Sequence, residues 1–301
     1  MVQRCASREL LLGISLLVLV LMTDNAVGAW GPVTSTTAGP VTASANNQTL
    51  ALSGSGTISG VSSGCVSTGG FSGLTLTVGQ GRTIAQSNGI STGVAVAASS
   101  GQVSILTNQG IISSSLTNSA TAYAMSIGTT SGTTITNNGS GGSSSNNYGQ
   151  IYTSSSTGSS GGRASAINVN DGGSASTVTI TNENGGNSGS IYWGLIRGGA
   201  GTSAGAAIQL RASSASSSYT INNSNSSYIC SGVCSSAPVA ASVDATNMSA
   251  GSLTVTNSGV MNGAILGATS TNSATLTINV AGGTIGKGLS RAASLKFGLK
   301  C

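Results

Sequence analysis

A short unit recurs at uneven intervals along this chain, and its clearest copy is SLTVTNSGVMNGAI at 252–265. Within this copy Leu253 and Val255 alternate with threonines, a pattern typical of a strand with one buried face. An Asn-Ser-Gly segment at 257–259 then interrupts the alternation, as expected for a turn. Each copy therefore predicts a strand followed by a turn, after which a second apolar segment begins at Val260.

Eight copies align on one inward aliphatic position: Leu52, Val78, Ile105, Ile135, Ile180, Ile221, Val255 and Ile278. Their unequal intervals indicate coils of a solenoid that carry loop insertions of different length. The residues two places earlier are mostly apolar and are expected on the same strand face. The residues between them are mostly threonine and are expected to point outward.

An asparagine follows the aligned position by two residues in four of the copies, at Asn137, Asn182, Asn223 and Asn257. This placement predicts a stack of asparagines at a corner of the coil. Asparagine tolerates the left-handed backbone conformation, and its side-chain amide can bond to the coils above and below. A Gly-x-Ile segment then opens the next strand, for example at 149–151 and 283–285.

One coil shows a complete set of three strands, at 177–181, 190–196 and 206–211. In the third of these, Ile208 and Leu210 are expected on the inner face. The predicted fold is therefore all-β, a single-domain parallel β-solenoid (β-helix) of about eight coils with three strands per coil, triangular in section.

The composition suits such a fold. Only 5% of the residues are charged and 3% aromatic, while the mean hydropathy is +0.24, which favours a folded chain over disorder. A solenoid core is narrow and needs only Val, Ile, Leu and Ala. The net charge is +5, but half of the basic residues beyond the N-terminal segment fall between 287 and 300. Because no basic stripe with interleaved aromatics is present, no nucleic-acid partner is expected.

The chain divides into four predicted segments. Residues 1–29 have the basic start, the apolar run at 10–22 and the small residues of a secretory signal peptide. Residues 30–48 are a leader or N-terminal cap, 49–288 the β-solenoid, and 289–301 a C-terminal cap or truncated stub. The protein is thus expected to be secreted or displayed at the cell surface.

Four cysteines follow the signal segment. Cys230 and Cys234 are close enough in sequence for a disulfide that closes a small loop in an exported protein. A metal site is not expected because the chain has no His and no second paired motif, and no cofactor is expected either. Cys65 and Cys301 lie toward opposite ends of the rod, so each is a candidate for linkage to another molecule.

Beyond the signal region the carboxylates are Asp171, Glu183 and Asp244. They fall at different corners, and we interpret them as solvated turn residues rather than an acid–base pair. No catalytic residue and no enzymatic activity are expected.

Aromatic residues supply the candidate ligand face. Tyr152, Tyr192 and Tyr228 each adjoin an isoleucine, which predicts one exposed row along the rod, with Trp193 beside it. Such rings can stack on sugars or dock a protein partner. An equally acceptable interpretation is a stacking ladder that only stabilises the sheet.

The T-x-T/N, Asn-x-Gly and Gly-x-Ile pattern, seen at 254–260 and 179–191, resembles the pertactin-like passenger domains of autotransporter adhesins of Gram-negative bacteria. The resemblance covers about 49–285 and implies a right-handed parallel β-helix associated with the outer membrane. The segment after 285 lacks the strand series of a membrane barrel, so another export or anchoring route is expected.

Three functional hypotheses follow. The first is a non-enzymatic adhesin or structural component of the cell surface or matrix, with a host or neighbouring-cell surface, a glycan or a matrix protein as partner and self-association through edge coils. The second is an ice-binding solenoid that uses an outward threonine array, as at 75–77, 177–179 and 275–277. Loops of unequal length are expected to disturb a flat ice-matching face. A polysaccharide-acting enzyme is third.

Overall fold

The computed structural model describes residues 28–299 except for short segments between strands. The segments left out are 61–63, 90–92, 99–102, 117–120, 129–130, 140–148, 156–163, 185–193, 200–204, 236–237, 239, 269–271, 287–288 and 291–294. Residues 1–27 of the predicted signal peptide lie outside the described residues, and its last two residues, Gly28–Ala29, form a short strand that pairs with Val41–Thr42. Within the described part of the chain, no helix is long and apolar enough to cross a membrane.

All described secondary structure is β-strand, arranged in three parallel sheets. Sheet A contains ten strands: β1 (Gly28–Ala29), β4 (Val41–Thr42), β7 (Val66–Ser67), β10 (Gly93–Ala98), β13 (Ala122–Ile127), β16 (Ala164–Asn170), β19 (Ile208–Ala212), β22 (Val243–Met248), β25 (Ile265–Leu266) and β28 (Leu289–Ser290). Sheet B contains ten: β2 (Pro32–Val33), β5 (Thr49–Leu52), β8 (Leu74–Val78), β11 (Val103–Asn108), β14 (Ser131–Asn138), β17 (Thr177–Glu183), β20 (Ser218–Asn223), β23 (Ser252–Asn257), β26 (Thr275–Val280) and β29 (Leu295–Leu299). Sheet C contains nine: β3 (Thr36–Ala38), β6 (Thr57–Gly60), β9 (Thr83–Gly89), β12 (Ile111–Leu116), β15 (Gln150–Ser155), β18 (Leu195–Gly198), β21 (Tyr228–Ser231), β24 (Val260–Asn262) and β27 (Thr284–Ile285).

The chain visits the sheets in the order A, B, C, and each strand except those at the ends of the sheets pairs with the strand three before and three after it. This is a parallel β-solenoid with three strands per coil, as the alternation predicted. The described strands make nine such coils and two strands of another. The count exceeds eight because short strands such as Pro32–Val33, within the expected leader, pair in register with the next coil although they carry little alternation.

The core is one continuous cluster of aliphatic side chains that runs the length of the rod. In sheet B the inward positions Ile135, Ile180, Ile221 and Val255 pair in register from coil to coil. All four are at most 1% exposed. These predicted core positions are confirmed, and so are Ile208 and Leu210 in sheet A.

The first three aligned positions need correction. Ile105 is 51% exposed, and the inward residue is its neighbour Leu106, which pairs with Leu76. A register irregularity between Val103 and Ile105 shifts the alternation by one residue and reverses the face on which Ile105 lies. Leu52 and Val78 also point inward, but they do not pair into the column of Ile135 and Ile180. They belong to the inward column two residues further along the strand, which the asparagines occupy in later coils.

A ladder of buried asparagines follows that column through five coils. It consists of Asn108, Asn137, Asn182, Asn223 and Asn257, each at most 2% exposed. The Nδ2 of each of the first four donates to the Oδ1 of the next asparagine at 2.8–2.9 Å. The predicted stack is confirmed and begins one coil earlier than expected. Asn108 follows the inward Leu106 by two residues, but it follows Ile105, the position aligned from sequence, by three.

The asparagine ladder also connects sheet B to sheet C at their shared corner. Asn182 Nδ2 donates to the carbonyl oxygens of Gly194, at 2.8 Å, and Tyr228, at 3.1 Å, where sheet C strands begin. The ladder asparagines do not use the left-handed backbone conformation that asparagine tolerates, since among the described residues Asn47 and Ser226 are the non-glycine residues with positive φ. The hydrogen bonds of the side-chain amide therefore explain why asparagine occurs at these positions, and the backbone conformation does not.

Candidate functional site

The predicted tyrosine row is not formed. Tyr152 follows the inward Ile151 of its strand and pairs with Arg197, whereas Tyr228 precedes the inward Ile229 and pairs with Leu195. The two tyrosines thus lie on the outer face of sheet C but two residues apart in register. Tyr192 and Trp193 lie outside the described residues.

Arg197 lies between the two tyrosines and was not selected from the sequence. Its guanidinium carbon lies over the Tyr152 ring, 5.0 Å from the centroid. Tyr228, on the strand that follows, pairs with Leu195, so it is the diagonal neighbour of Arg197 on the same face. All three side chains are partly exposed. We call Tyr152, Arg197 and Tyr228 the tyrosine–arginine cluster.

A disulfide adjoins the tyrosine–arginine cluster. Cys230 pairs with Arg197 on the neighbouring strand and is bonded to Cys234, which confirms the predicted disulfide. The carbonyl oxygen of Cys234 accepts a 2.6 Å hydrogen bond from Asn262 Nδ2. The short loop closed by the disulfide is thereby tied to the outer face of sheet C beside Arg197.

The outer face of sheet B presents two columns of threonines. The first column pairs Thr49, Thr75, Ile105, Thr134, Thr179, Thr220, Thr254 and Thr277. The second pairs Ala51, Thr77, Thr107, Thr136, Thr181, Asn222, Thr256 and Asn279. The predicted hydroxyl row through Thr179, Thr220 and Thr254 is confirmed.

The unequal coil lengths do not interrupt this threonine face. From Thr134 to Thr277 the first column pairs residue by residue, although successive asparagines of the adjoining ladder are 45, 41 and 34 residues apart. The extra residues enter between strands, outside sheet B. Loops of different length therefore leave the register of this face intact in its described residues.

A groove of about 270 Å³ lies on the outer side of sheet A. Its lining includes Ser165, Ala206, Gln209, Ala241 and Asp244. The Asp244 carboxylate already accepts hydrogen bonds from the backbone and hydroxyl of Thr246, at 3.0 and 2.6 Å. With small side chains dominating its walls, the groove offers fewer binding groups than the tyrosine–arginine cluster.

Asp171 is buried rather than solvated, contrary to the interpretation from sequence. It is 1% exposed and accepts hydrogen bonds from the backbone N–H groups of Gly173, Ser213 and Ser214 at 2.8–3.0 Å. Ser217 Oγ donates a further bond at 2.9 Å. Burial acts to raise the pKa of Asp171, but these donors outweigh it and leave the pKa below its ordinary value of 3.8. The carboxylate joins two successive A-to-B corners.

Replacing Asp171 with Asn should destabilise the protein by about 2–3 kcal/mol, since the new NH₂ group must face N–H or O–H donors. The pKa of Asp171 is lowered by folding, so its stabilisation is present above pH 3.8 and is lost as the pH falls through the lower folded value. Urea unfolding of wild type and variant from pH 7 to pH 2 should therefore converge at the acid end. A matched Asp244→Asn variant, which disturbs only the local bonds from Thr246, should cost less than about 1 kcal/mol. Equal effects of the two substitutions would contradict this account.

The remaining carboxylates and Cys65 are also engaged in the structure. Glu183 Oε2 accepts a 3.1 Å hydrogen bond from Asn138 Nδ2. Cys65 is fully buried, its thiol donates to the Ala85 carbonyl oxygen at 3.1 Å, and burial raises its pKa to about 12. Linkage of Cys65 to another molecule is therefore disfavoured, while Cys301 lies outside the described residues.

Among the described residues, no group of three or more His, Cys, Asp and Glu side chains is arranged to hold a metal ion. Comparison of the chain with protein-family models, curated proteins and solved structures gives no match.

Proposed function

We propose that this protein is an exported, non-enzymatic β-solenoid that acts as an adhesin or structural component at the cell surface or in the extracellular matrix. The observation that carries the proposal is the register of the outer face of sheet B, which presents similar side chains from coil to coil. A surface of this kind offers many identical contacts to a partner, and multiple weak contacts give strong overall attachment.

The mechanical properties of the rod support the same proposal. Nine coils at about 4.8 Å each give a length of roughly 40 Å. Every interior strand bonds to a strand on both sides, and the asparagine ladder adds a second line of hydrogen bonds parallel to the axis. A stiff spacer that displays binding faces is the role this construction suits.

The state of the carboxylates favours a binding role over a catalytic one. Asp171, Glu183 and Asp244 each accept hydrogen bonds from protein donors and lie at different places on the rod. Glycoside hydrolysis requires two carboxylates facing one bond, about 5–10 Å apart. We therefore propose no reaction for this protein.

Attachment of coated beads tests the adhesin proposal. Beads carrying the purified folded protein should be retained on cell layers, matrix proteins or immobilised glycans under flow. Beads carrying the same amount of urea-unfolded protein, and uncoated beads, are the controls. Retention of folded protein no greater than that of both controls on every surface would refute the proposal.

Ice binding is a second candidate, favoured by the first threonine column of sheet B, which is unbroken from Thr134 to Thr277. Along the rod the hydroxyl and methyl groups repeat at about 4.8 Å, and the two columns are separated by about 6.7 Å along each strand. A regular lattice of this kind can hold an ordered water layer. Thermal hysteresis should then be measurable and should fall severalfold in Thr220→Lys, at the centre of the face. It should remain unchanged in Gln209→Lys on sheet A, and absence of hysteresis in the wild type would eliminate this candidate.

A further inference from the structure

The tyrosine–arginine cluster combines a positive charge with two aromatic rings on one sheet face. Arg197 is the central residue, with the ring of Tyr152 beneath its guanidinium and Tyr228 at the diagonal position of the following strand. Diagonal neighbours in a sheet lie about 7–8 Å apart, within reach of long side chains. The three side chains can therefore contact one ligand simultaneously.

The guanidinium of Arg197 has donors to spare. Within the described part of the chain, the guanidinium makes a cation–π contact with the Tyr152 ring and forms no ion pair with a carboxylate. The described carboxylates are bonded elsewhere: Asp171 to Ser213, Ser214 and Ser217, Glu183 to Asn138, and Asp244 to Thr246. Stacking occupies a face of the planar guanidinium and leaves N–H groups at its edge, which match a carboxylate in a two-point arrangement.

The flanking tyrosines restrict what such an anion can be attached to. An aromatic ring offers an apolar face to the C–H groups of a pyranose, and its hydroxyl can hydrogen-bond to the sugar's hydroxyls. A small free anion would use Arg197 but neither ring, whereas a neutral sugar would use the rings but not the charge. A sugar that bears a carboxylate uses all three side chains.

The neighbouring disulfide holds this arrangement in place. Cys230 is the in-register neighbour of Arg197 on the side away from Tyr152, and the Cys230–Cys234 loop is anchored through Asn262. One side of Arg197 is therefore bounded by a closed loop and the other by an aromatic ring. Such confinement reduces the side-chain entropy that binding would otherwise cost.

We infer that Tyr152, Arg197 and Tyr228 form a binding site for a carboxylate-bearing sugar unit of a glycan, such as a uronic acid. This inference rests on the proposed adhesin function and specifies the ligand class of one face. Tyr228 offers its ring face to the pyranose, Tyr152, whose ring lies under the guanidinium, contacts it through its ring edge and hydroxyl, and Arg197 binds the carboxylate.

Calorimetric titration at low ionic strength tests this site with three probes of equal length. They are a uronic-acid tetrasaccharide, the corresponding neutral hexose tetrasaccharide, and the same hexose tetrasaccharide carrying sulfate groups in place of carboxylates. The wild type should bind the uronic-acid probe at least tenfold more tightly than either of the others. Arg197→Gln should weaken that binding about tenfold to hundredfold, and Tyr228→Ala should weaken it severalfold. Arg197→Lys keeps the charge but loses the two-point geometry and should recover only part of the affinity.

The matched control is Arg82→Gln, which changes the net charge equally at an arginine three coils away, whose Nε donates to the Gln80 carbonyl oxygen. Its affinity for the uronic-acid probe should equal that of the wild type. Equal losses in Arg82→Gln and Arg197→Gln would show nonspecific charge attraction and overturn the inference, as would equal binding of all three probes. If coated beads adhere while the uronic-acid probe does not bind, the inference fails and the adhesin proposal survives. If beads fail to adhere, the adhesin proposal itself fails.

Discussion

Ile180→Asp is expected to abolish cooperative folding of the solenoid. Ile180 is 1% exposed and is stacked between Ile135 and Ile221 in the core of sheet B. A carboxylate at this position would have no partner, and an unpaired buried charge costs more than about 5 kcal/mol, comparable to the whole stability of a domain. The far-ultraviolet circular dichroism of the variant should lack a sharp thermal transition.

The control for this substitution is its immediate neighbour, Thr179→Lys. Thr179 lies on the outer face of the same strand, where a lysine can extend into water. Its midpoint should change by only a few degrees. Loss of the transition in both variants, or in neither, would contradict the assignment of inner and outer faces.

Asn182→Ala should have the second largest effect, about 3 kcal/mol or more of destabilisation. The substitution removes the acceptor of Asn137 Nδ2 and the donor to Asn223 Oδ1, and it leaves the carbonyl oxygens of Gly194 and Tyr228 without that partner. Each buried polar group left unpaired costs about 1–3 kcal/mol. The free energy of unfolding from urea titration measures the loss.

Two controls separate the asparagine ladder from ordinary packing. Thr181→Ala, on the outer face beside Asn182, should cost less than about 1 kcal/mol. Asn257→Val, at the last ladder position, should cost clearly less than Asn182→Ala because the next residue in that column is already Val280. If all three substitutions cost the same, the ladder is not a distinct source of stability.

The sheet architecture could be predicted from sequence because the alternation of aliphatic and hydroxyl residues has a physical cause. Strand side chains alternate between faces, and only one face of each strand contacts the core. Ile180 and Ile221 follow this rule and were placed correctly. Ile105 was not, because a register irregularity between strands depends on the neighbouring coil and leaves no periodic signal in its own strand.

The binding face was less accessible to sequence reasoning. Ile191-Tyr192 looked like the start of a sheet C strand, but the strand that pairs there is Leu195–Gly198, after Gly194. Gly194 has φ of +58°, and a Cβ at that position would collide with the Glu183 carbonyl oxygen. That glycine requirement marks the start of the strand, yet the sequence offers several glycines nearby. Because of this register Arg197 lies beside Tyr152, a contact that the sequence pattern alone did not predict.

Asp171 shows a similar limit. A single carboxylate after a strand is most often a solvated turn residue, and its sequence neighbours do not indicate otherwise. The donors that bury it come from Ser213, Ser214 and Ser217, in the next coil. Contacts between coils depend on the loop lengths that separate them, which the repeat alone does not specify.

Equivalent residues of successive coils lie one coil apart along a straight axis, whatever their separation in sequence. Pulsed electron–electron double resonance tests this arrangement most directly. Nitroxide labels are placed in the first threonine column at Thr277 and, in turn, at Thr179, Thr134 and Thr75. Register pairing separates these labels by three, four and six coils. The backbone distances should therefore be about 14, 19 and 29 Å. Narrow distributions that increase by one equal step per coil are the predicted result, whereas broad distributions, or distances that follow sequence separation instead, would contradict the stacked-coil structure.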